Sequence, residues 1–364
     1  MANAREPTGM NGFLPGRRTH TRPVERFSSP GGKTGPGGSR RCVVGKPMAV
    51  FVLAFLFLAP VLRAAEAVVH LLALGDWGAN TPAQAAVAAA MKNYVERHHI
   101  GPDAVLLLGD NFYVDLDGVN DEDWKQLFER MYDPRRLAAP FYAVLGNHDY
   151  DDNRAQVELD YAKKNPESRF KLPHFWYRVD LPRNDPLVTL IALDSNANKH
   201  SKEQWTAQTR WLERELSKPR TARWTICFAH HPLFSDSEHG DDENLQKVWG
   251  PAFKKHRVDF YLAGHDHALE HLQIPDWPTS FVVSGGGGYE TYEIERQDRA
   301  KFARGEHGFV HLLFTTDRAR VSFVDKTGST PHIFERNRRG DVRIVSGSAL
   351  TREANLPVPV SSAP

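Results

Sequence analysis

The 364-residue chain is predicted to be an α/β protein (α+β in some schemes): a four-layer α/β/β/α sandwich of two mixed sheets flanked by helices. Two observations favour this class. From residue 68 onward, short apolar runs alternate with segments of helical length, which is typical of parallel strands joined by helices. After residue 267 the helical segments give way to closely spaced strands, which a sheet-on-sheet core would bury.

The first half of the pattern alternates strand and helix. Residues 68–74 form a continuous apolar run, as expected of a strand covered on both faces. Residues 82–97 are rich in alanine with helical spacing, and Pro82 suits a first helical turn. The same reasoning predicts strands at 104–108 and 141–145 and a helix at 121–131 capped by Asp121. This series predicts a parallel sheet.

The second half of the pattern is more varied and ends in strands. Helices are predicted at 154–164, 204–216 and 245–256, with strands at 175–179, 187–193, 224–229 and 258–263. A polar loop is predicted at 235–243. Five further strands are predicted at 269–274, 280–284, 309–315, 320–325 and 331–335. The helix at 204–216 has its large apolar side chains spaced for one face, which indicates packing against a sheet.

An export signal is predicted at the start of the chain. Residues 1–67 carry ten Lys/Arg against three Asp/Glu and contain the apolar run 49–62. That run is shorter than the ~20 residues of a membrane-spanning helix, and Ala65-Glu66-Ala67 fits cleavage after Ala67. A periplasmic or secreted protein with no membrane span after cleavage is therefore expected, exported by the Sec or the twin-arginine route. An uncleaved anchor is the alternative, and Met1 and Met48 are both open as the first residue.

The remainder of the chain is mildly acidic and nearly free of cysteine. Residues 68–364 hold 36 Lys/Arg and 42 Asp/Glu, which argues against a nucleic-acid-binding surface. Cys42 lies in the leader and Cys227 in an apolar run, so neither an internal disulfide nor a thiolate zinc site is expected. Residues 68–335 are predicted to form one domain, followed by a disordered tail at 336–364 that is rich in Pro and Ser.

Five short polar segments stand at the ends of predicted strands. They are Gly75-Asp76-Trp77-Gly78, Gly109-Asp110-Asn111-Phe112-Tyr113, Gly146-Asn147-His148-Asp149, Ala229-His230-His231-Pro232 and Gly264-His265-Asp266-His267. Taken singly, each has an ordinary interpretation, since an Asp after a strand is most often a turn residue. Loops that leave the carboxyl ends of parallel strands, however, converge on one crevice where ligands bind. The repeated placement therefore predicts a single site.

The side chains of these segments predict a site for two metal ions. They are two carboxylates, a phenol, an amide and three imidazoles: Asp76, Asp110, Tyr113, Asn147, His230, His265 and His267. Oxygen ligands mixed with imidazole suit first-row transition metals. One ion cannot use seven protein ligands and still bind a substrate, whereas two ions that share a carboxylate can. His265 and His267 are two residues apart, so in an extended segment both imidazoles point the same way.

These motifs, in this order, resemble those of the purple acid phosphatases, and more narrowly the small single-domain branch that includes tartrate-resistant acid phosphatase. The parent group is the calcineurin-like metallophosphoesterases. The resemblance covers residues 70 to about 315 and includes Ser284-Gly285-Gly286-Gly287 and Glu238-His239-Gly240. It implies a monomeric catalytic domain at 68–335 that hydrolyses small phosphomonoesters, or phosphoproteins, at acidic pH.

The resemblance also implies a role for each residue. Asp76, Tyr113 and His267 would bind Fe(III), Asp110 would bridge, and Asn147, His230 and His265 would complete a second site for Fe(II), Zn(II) or Mn(II). His148 and His239 would contact the substrate phosphate. A metal-activated hydroxide would attack phosphorus while a protonated imidazole stabilises the developing charge. His231 is a departure, because relatives of this branch usually carry Tyr there.

Two other functions stay open at this point. The first is a related phosphodiesterase, nucleotidase or phosphomonoesterase with Mn or Zn instead of Fe. Tyr113 as a metal ligand, together with bound iron, would distinguish a purple acid phosphatase from these enzymes. The second is a non-catalytic metal-binding protein on the same fold, which a phosphomonoester assay with His148→Ala as control would separate from an enzyme.

Overall fold

Two β-sheets form the centre of the computed structural model, which describes residues 67–295 and 298–345. Within these residues the first sheet has eight strands: β1 (Val69–Leu74), β2 (Ala104–Leu108), β3 (Phe141–Val144), β4 (Phe170–Lys171), β12 (Gly308–Phe314), β13 (Arg318–Asp325), β14 (His332–Asn337) and β15 (Val342–Val345). The second, over the same residues, has seven: β5 (Tyr177–Leu181), β6 (Val188–Ala192), β7 (Trp224–Phe228), β8 (Phe260–Ala263), β9 (Leu269–Leu272), β10 (Ser280–Ser284) and β11 (Ala300–Arg304).

Both sheets are mixed. The first has the order β15-β14-β13-β12-β1-β2-β3-β4, in which β1 to β4 are parallel and β12 to β15 antiparallel. The second has the order β11-β9-β10-β8-β7-β6-β5, with β6, β7, β8 and β10 parallel. Each sheet therefore contains a parallel block, and the carboxyl ends of that block carry the polar segments.

The two sheets share one hydrophobic core because alternate side chains of a strand point to opposite faces. In β7, Trp224 and Phe228 belong to the central core, whereas Cys227 belongs to a second core on the outer face. The rings of Trp224 and Phe260 both lie 5.6 Å from Phe314 of the other sheet. These aromatic contacts join the sheets face to face.

In the described part of the chain, four α-helices cover the outer faces of the sheets. They are α1 (Pro82–Arg97), α2 (Arg154–Lys164), α3 (Lys202–Ser217) and α4 (Glu243–His256). α1 packs on β12 and β13, and Tyr161 of α2 contacts Phe170 of β4. Leu212 of α3 and Trp249 of α4 enter the outer core of the second sheet. This α/β/β/α arrangement confirms the predicted fold class.

The predicted helix at 121–131 is different in the structure. A π-helix spans Trp124–Glu129, with the Arg130 amide donating to the Lys125 carbonyl at 2.9 Å. Asp123, not Asp121, stands at the N-cap position; Asp121 lies two residues earlier, and its carboxylate accepts from the amides of Asp117 and Asp123. Sequence periodicity cannot distinguish this wider turn from an α-helix over so short a segment.

Two further predictions need correction. The strand predicted at 175–179 is β5, two residues later, because Phe175 and Trp176 lie in a loop. The predicted disordered tail at 336–364 is wrong for residues 336–345, where β14 ends and β15 pairs with it. The charged side chains there read as loop, yet Glu335 binds Arg320 at 3.1 Å and Arg343 at 2.7 Å across the edge strands.

The remaining predictions on the ends of the chain fall outside the described residues. These are the leader at 1–66 with its apolar run and the tail from residue 346 onward. In the part that is described, no helix combines the length and the apolar composition needed to cross a membrane.

Candidate metal centre

The five polar segments leave the carboxyl ends of parallel strands on both sheets. Asp76 follows β1, Asp110 follows β2, Asn147 follows β3, His230 follows β7, and His265 and His267 follow β8. The structure brings all seven predicted ligands together, in two groups of donor atoms. We call them the tyrosine group (Asp76, Asp110, Tyr113, His267) and the asparagine group (Asp110, Asn147, His230, His265).

In the tyrosine group four donor atoms converge on one point. The Tyr113 hydroxyl lies 3.3 Å from Asp76 Oδ1, 3.0 Å from Asp110 Oδ2 and 3.1 Å from His267 Nε2. The other ring nitrogen of His267, Nδ1, lies 2.6 Å from the Glu290 carbonyl. That carbonyl accepts a hydrogen bond from Nδ1–H, so the lone pair of a neutral His267 is on Nε2 and faces the group.

In the asparagine group His230 Nε2 is the central atom. It lies 3.0 Å from Asn147 Oδ1, 3.2 Å from His265 Nδ1 and 3.4 Å from Asp110 Oδ1. His230 Nδ1 lies 2.9 Å from the Leu108 carbonyl, which again leaves the lone pair on Nε2. Asp110 therefore contributes Oδ2 to one group and Oδ1 to the other, so its carboxylate lies between the two groups.

The donor atoms of both groups fit metal ions because their lone pairs face one another. Without a cation, a proton must separate them. Burial lowers the pKa of His230, but the charge of Asp110 outweighs it and raises that pKa to about 10. Burial also opposes ionisation of Asp110, yet the charge of His230 holds the pKa of that carboxyl below its usual range. A cation would replace the proton and satisfy every acceptor at once.

The phenol of Tyr113 adds a condition on the ion. Burial and the charges of Asp76 and Asp110 raise the pKa of Tyr113 far above that of a free phenol. The positive charge of a bound cation would lower that pKa and favour phenolate in this position.

Three of the candidate ligands occupy a strained backbone conformation. Asp76, Asp110 and His265 have φ values of 60°, 47° and 67°, in the left-handed region that L-residues rarely adopt. Such conformations cost about 1–3 kcal/mol each and occur mostly at functional sites. Hydrogen bonds hold them: Asp76 Oδ2 accepts from the His265 amide at 3.0 Å, and Asp110 Oδ1 accepts from the His148 amide at 2.9 Å.

A buried polar cluster beneath the centre joins the loops after β2 and β3. Asp149 accepts from the amides of Asn111 and Gly146, both at 2.7 Å. The Asn111 side chain donates to Glu158 of α2 at 2.9 Å. Asp149 is the last residue of the polar segment that begins at Gly146, so the sequence already indicates that it matters. Glu158 carries no such signal, because an acidic residue in a helix is normally exposed.

Glu158 is expected to make folding stability depend on pH. Burial and the charge of Asp149 raise the pKa of Glu158 well above 4.5, so the folded state retains a proton that the unfolded state loses. Above pH 4.5 the wild-type free energy of unfolding should fall relative to Glu158→Gln, by up to about 1.4 kcal/mol per pH unit. Urea unfolding from pH 4 to 8 measures the difference.

The matched control for that experiment is the exposed Glu167. Glu167→Gln should follow the wild type at every pH. A constant offset between Glu158→Gln and the wild type would contradict the prediction.

The two predicted substrate histidines are exposed and lie on different sides of the centre. The ring of His148 is 5.1 Å from that of Tyr113, in the tyrosine group. The ring of His239 stacks on His265 at 4.3 Å, in the asparagine group, and its amide donates to Asp266 at 2.9 Å. Both imidazoles are therefore placed to contact a ligand that lies across the two groups.

The loop that carries His239 is more buried than predicted. Ser235 and Asp236, expected in a polar loop, are inaccessible to solvent. Arg299 donates to Asp236 at 2.8 Å, to Asp241 at 2.7 Å and to the Ser235 carbonyl at 2.7 Å. This clamp was missed from the sequence, since one Arg among many charged residues gives no signal.

His231 lies beside the asparagine group. Its Nδ1 is 2.7 Å from the Ser195 hydroxyl, and burial together with the charge of His230 lowers the pKa of His231 to about 3. Ligand atoms of His230, His231 and His265 lie within 4.8 Å of one another. The residue identified from the sequence only as a departure thus adds a neutral imidazole to this side of the centre.

A sandwich of two mixed sheets with two groups of metal-type donor atoms at its strand ends is typical of a metallophosphoesterase. Residues 69–269 match the family described as calcineurin-like phosphoesterase. The chain is 31% identical over 284 residues to purple acid phosphatase 17 of Arabidopsis thaliana, covering 72% of this chain and 83% of that protein. It is 28% identical over 310 residues to tartrate-resistant acid phosphatase type 5 of Oryctolagus cuniculus, covering 77% and 94%.

Among solved structures, the fold is similar to that of GAP50, the anchor in the inner membrane complex of Plasmodium. The TM-score is 0.67 at 22% identity, over 74% of this chain and 89% of that one. The chain belongs to the calcineurin-like phosphoesterase family, and within it to the purple acid phosphatases. The resemblance seen in the motifs is thereby confirmed.

Proposed function

We propose that the protein is an acid phosphatase that hydrolyses phosphate monoesters at a centre of two metal ions. The observation that carries this proposal is the position of Asp110, whose two carboxylate oxygens belong to different donor groups. The relatives named acid phosphatases support the same reaction. Small phosphomonoesters are the proposed substrates, with phosphoproteins as a further class.

The ligands divide between the ions as follows in this proposal. The tyrosine group would hold Fe(III), and the asparagine group would hold Fe(II), Zn(II) or Mn(II), with Asp110 shared. When bound, such ions polarise the phosphoryl oxygens and make water a nucleophile below neutral pH. The protein itself supplies the rigid donor geometry, which the strained loops and the buried cluster with Asp149 maintain.

His148 and His239 act on the substrate as proton donors. Both are exposed beside the donor groups, so a phosphate seated there would be within reach of either imidazole. A protonated imidazole stabilises charge on the phosphoryl oxygens and delivers a proton to the leaving alkoxide. Because the bound ions would make water a nucleophile below neutral pH, activity should be highest in acid.

The test is phosphate release from phenyl phosphate by the metal-reconstituted chain between pH 4 and 9. We expect the highest kcat below pH 7. A maximum above pH 8, or no release at any pH with both ions bound, would count against the proposal. Metal analysis of the same sample distinguishes a metal-loaded protein without activity from a protein that has not bound its ions.

Tyr113→Phe is expected to remove the colour of the iron-loaded protein. A phenolate bound to Fe(III) gives a charge-transfer band in the visible range, which should make the wild type violet. Phenylalanine has no oxygen to offer, whereas the other three donors of the tyrosine group remain. We therefore expect the band to vanish while a substantial part of kcat survives.

The visible spectrum and a phosphatase assay on the same samples check this prediction. A colourless, fully active wild type with two zinc ions would refute the iron assignment and leave the phosphatase reaction intact.

We further propose that the catalytic domain runs from residue 68 to at least Val345 and functions as an exported monomer. The pairing of β15 with β14 supports the extended boundary. The basic and apolar composition of residues 1–67 supports export. Amino-terminal sequencing of the protein from the culture medium or periplasm, with Val68 as the expected first residue, tests the cleavage site.

A further inference from the structure

A four-residue segment after β10 lies against the tyrosine group. We call Tyr289–Tyr292 the aromatic strap. It follows the glycine run 285–288, which lies against the loop after β1: the Gly287 amide donates to the Gly75 carbonyl at 3.0 Å. A Cβ on Gly287 would stand 2.2 Å from that carbonyl oxygen, so a side chain there would displace the strap. The Thr81 hydroxyl also donates to the Gly288 carbonyl at 2.6 Å.

The strap stacks one aromatic ring on the phenol of the tyrosine group. The rings of Tyr289 and Tyr113 are 4.0 Å apart between centroids and 10° from parallel. The Tyr289 amide donates to the Asp76 carbonyl at 3.0 Å, which fixes the strap to a second candidate ligand. Tyr289 is half-buried, so its ring separates one face of Tyr113 from solvent.

At the other end of the strap, the ring of Tyr292 stacks on the imidazole of His267. The rings of Tyr292 and His267 are 4.1 Å apart and 16° from parallel. The Tyr292 amide donates to the His267 carbonyl at 3.1 Å, and the Glu290 carbonyl lies 2.6 Å from His267 Nδ1. Both ring-bearing donors of the tyrosine group thus carry an aromatic cover from one segment.

We propose that the aromatic strap is a positioning element for the tyrosine group, and that Tyr289 sets the orientation of the Tyr113 ring. The proposal rests on the proposed metal centre. The torsion χ1 sets where the Tyr113 oxygen lies, because rotation about χ2 turns the ring around the axis that carries the oxygen. The Tyr289 ring, stacked at 4.0 Å on one face of the phenol, blocks its swing toward that side before an ion binds.

The test compares Tyr289→Leu, Tyr289→Met and Tyr289→Phe with the wild type. Leucine and methionine fill the space without a flat ring, and methionine adapts to irregular gaps if leucine does not fold. Phenylalanine keeps the stacking face. The matched control is Tyr142→Leu, at a half-buried tyrosine in β3. Each protein is loaded with iron and, separately, with zinc, and the rate of metal loss to a chelator is measured with the visible spectrum of the iron form.

Loss of metal should be about two- to tenfold faster in Tyr289→Leu and Tyr289→Met, because an aromatic pair contributes that much to an equilibrium. The visible band should also shift or weaken in both. Tyr289→Phe and Tyr142→Leu should match the wild type. A merely structural role would lower thermal stability without moving the band.

Wild-type metal retention and an unmoved band in the leucine and methionine variants would overturn the proposal, even if the wild type proves to be an active phosphatase. Conversely, a wild type that binds metal but releases no phosphate would refute the proposed function, while faster metal loss from the variants would still support the strap. A wild type that binds neither ion would overturn both.

Discussion

Asp110→Asn is expected to lower kcat/KM by about a thousandfold or more and to reduce the metal content from two ions toward one. The structure gives the reason in the two oxygens of this side chain. Oδ2 lies 3.0 Å from the Tyr113 hydroxyl, and Oδ1 accepts from the His148 amide and lies 3.4 Å from His230 Nε2. Asparagine has one oxygen, so an NH2 group must replace one of these acceptors.

Neither orientation of the asparagine is acceptable. With NH2 toward His148, two donors oppose each other at the distance of the present 2.9 Å hydrogen bond, and the asparagine group loses its anionic ligand. With NH2 toward Tyr113, the tyrosine group keeps only one carboxylate, Asp76, against an ion of high charge. The substitution also leaves a buried polar group with the wrong partner, which costs about 1–3 kcal/mol on its own.

The measurement combines metal analysis with steady-state kinetics on phenyl phosphate. Asp117→Asn, at an exposed carboxylate of the same loop region, is the matched control and should keep two ions and full activity. Thermal unfolding of the metal-free variants shows whether Asp110→Asn folds. Two bound ions together with more than a tenth of wild-type kcat/KM would contradict a bridging role for Asp110.

The sequence predicts that the seven candidate ligands lie close together, but it does not predict which residues hold them in place. Asp76, Asp110 and His265 each follow an apolar run and a glycine, a pattern that places a polar side chain at a strand end. The rule about parallel strands then brings distant segments to one edge without any knowledge of contacts. Glu158 and Arg299 lie outside such a pattern.

The supporting residues escape prediction because their roles depend on tertiary contacts. Glu158 looks like an exposed helix position until Asn111 and Asp149 bury it. Arg299 differs from other arginines of the chain only through its hydrogen bonds to the loop that carries His239, which the sequence does not show. Tyr289 follows a glycine run that was recognised, yet nothing local shows which ring it covers. Local pattern therefore determines the chemistry of the centre, and long-range packing determines its rigidity.

At the edge of the first sheet, too, the local sequence pattern does not show the role that tertiary contacts give to the residues. Residues 336–345 are rich in Arg and resemble a polar tail, since strands are usually recognised by apolar alternation. Here β15 is an edge strand whose Arg343 pairs with Glu335 on β14. A charged edge of this kind also resists pairing with another chain. In a single sequence, a charged edge strand and a charged loop have the same pattern and cannot be told apart.

His148→Ala is expected to lower kcat by about a hundred- to a thousandfold at acidic pH while both ions remain bound. The exposed imidazole is 5.1 Å from the ring of Tyr113, and its Nδ1 lies 3.3 Å from the exposed carboxylate of Asp151. Its amide, which binds Asp110, is kept in alanine. The substitution therefore removes a proton donor without dismantling the ligand groups, and metal content is the readout that separates these two effects.

The dependence on the leaving group distinguishes proton donation from simple phosphate binding. An alkoxide needs a proton as the P–O bond breaks, whereas p-nitrophenolate leaves without one. If His148 is the proton donor, His148→Ala should lose at least about tenfold more kcat on an alkyl phosphate than on p-nitrophenyl phosphate. His174→Ala, at an exposed histidine of another loop, should change neither rate. Equal losses on both substrates would assign His148 to phosphate binding and leave His239, stacked on His265, as the residue that protonates the leaving group.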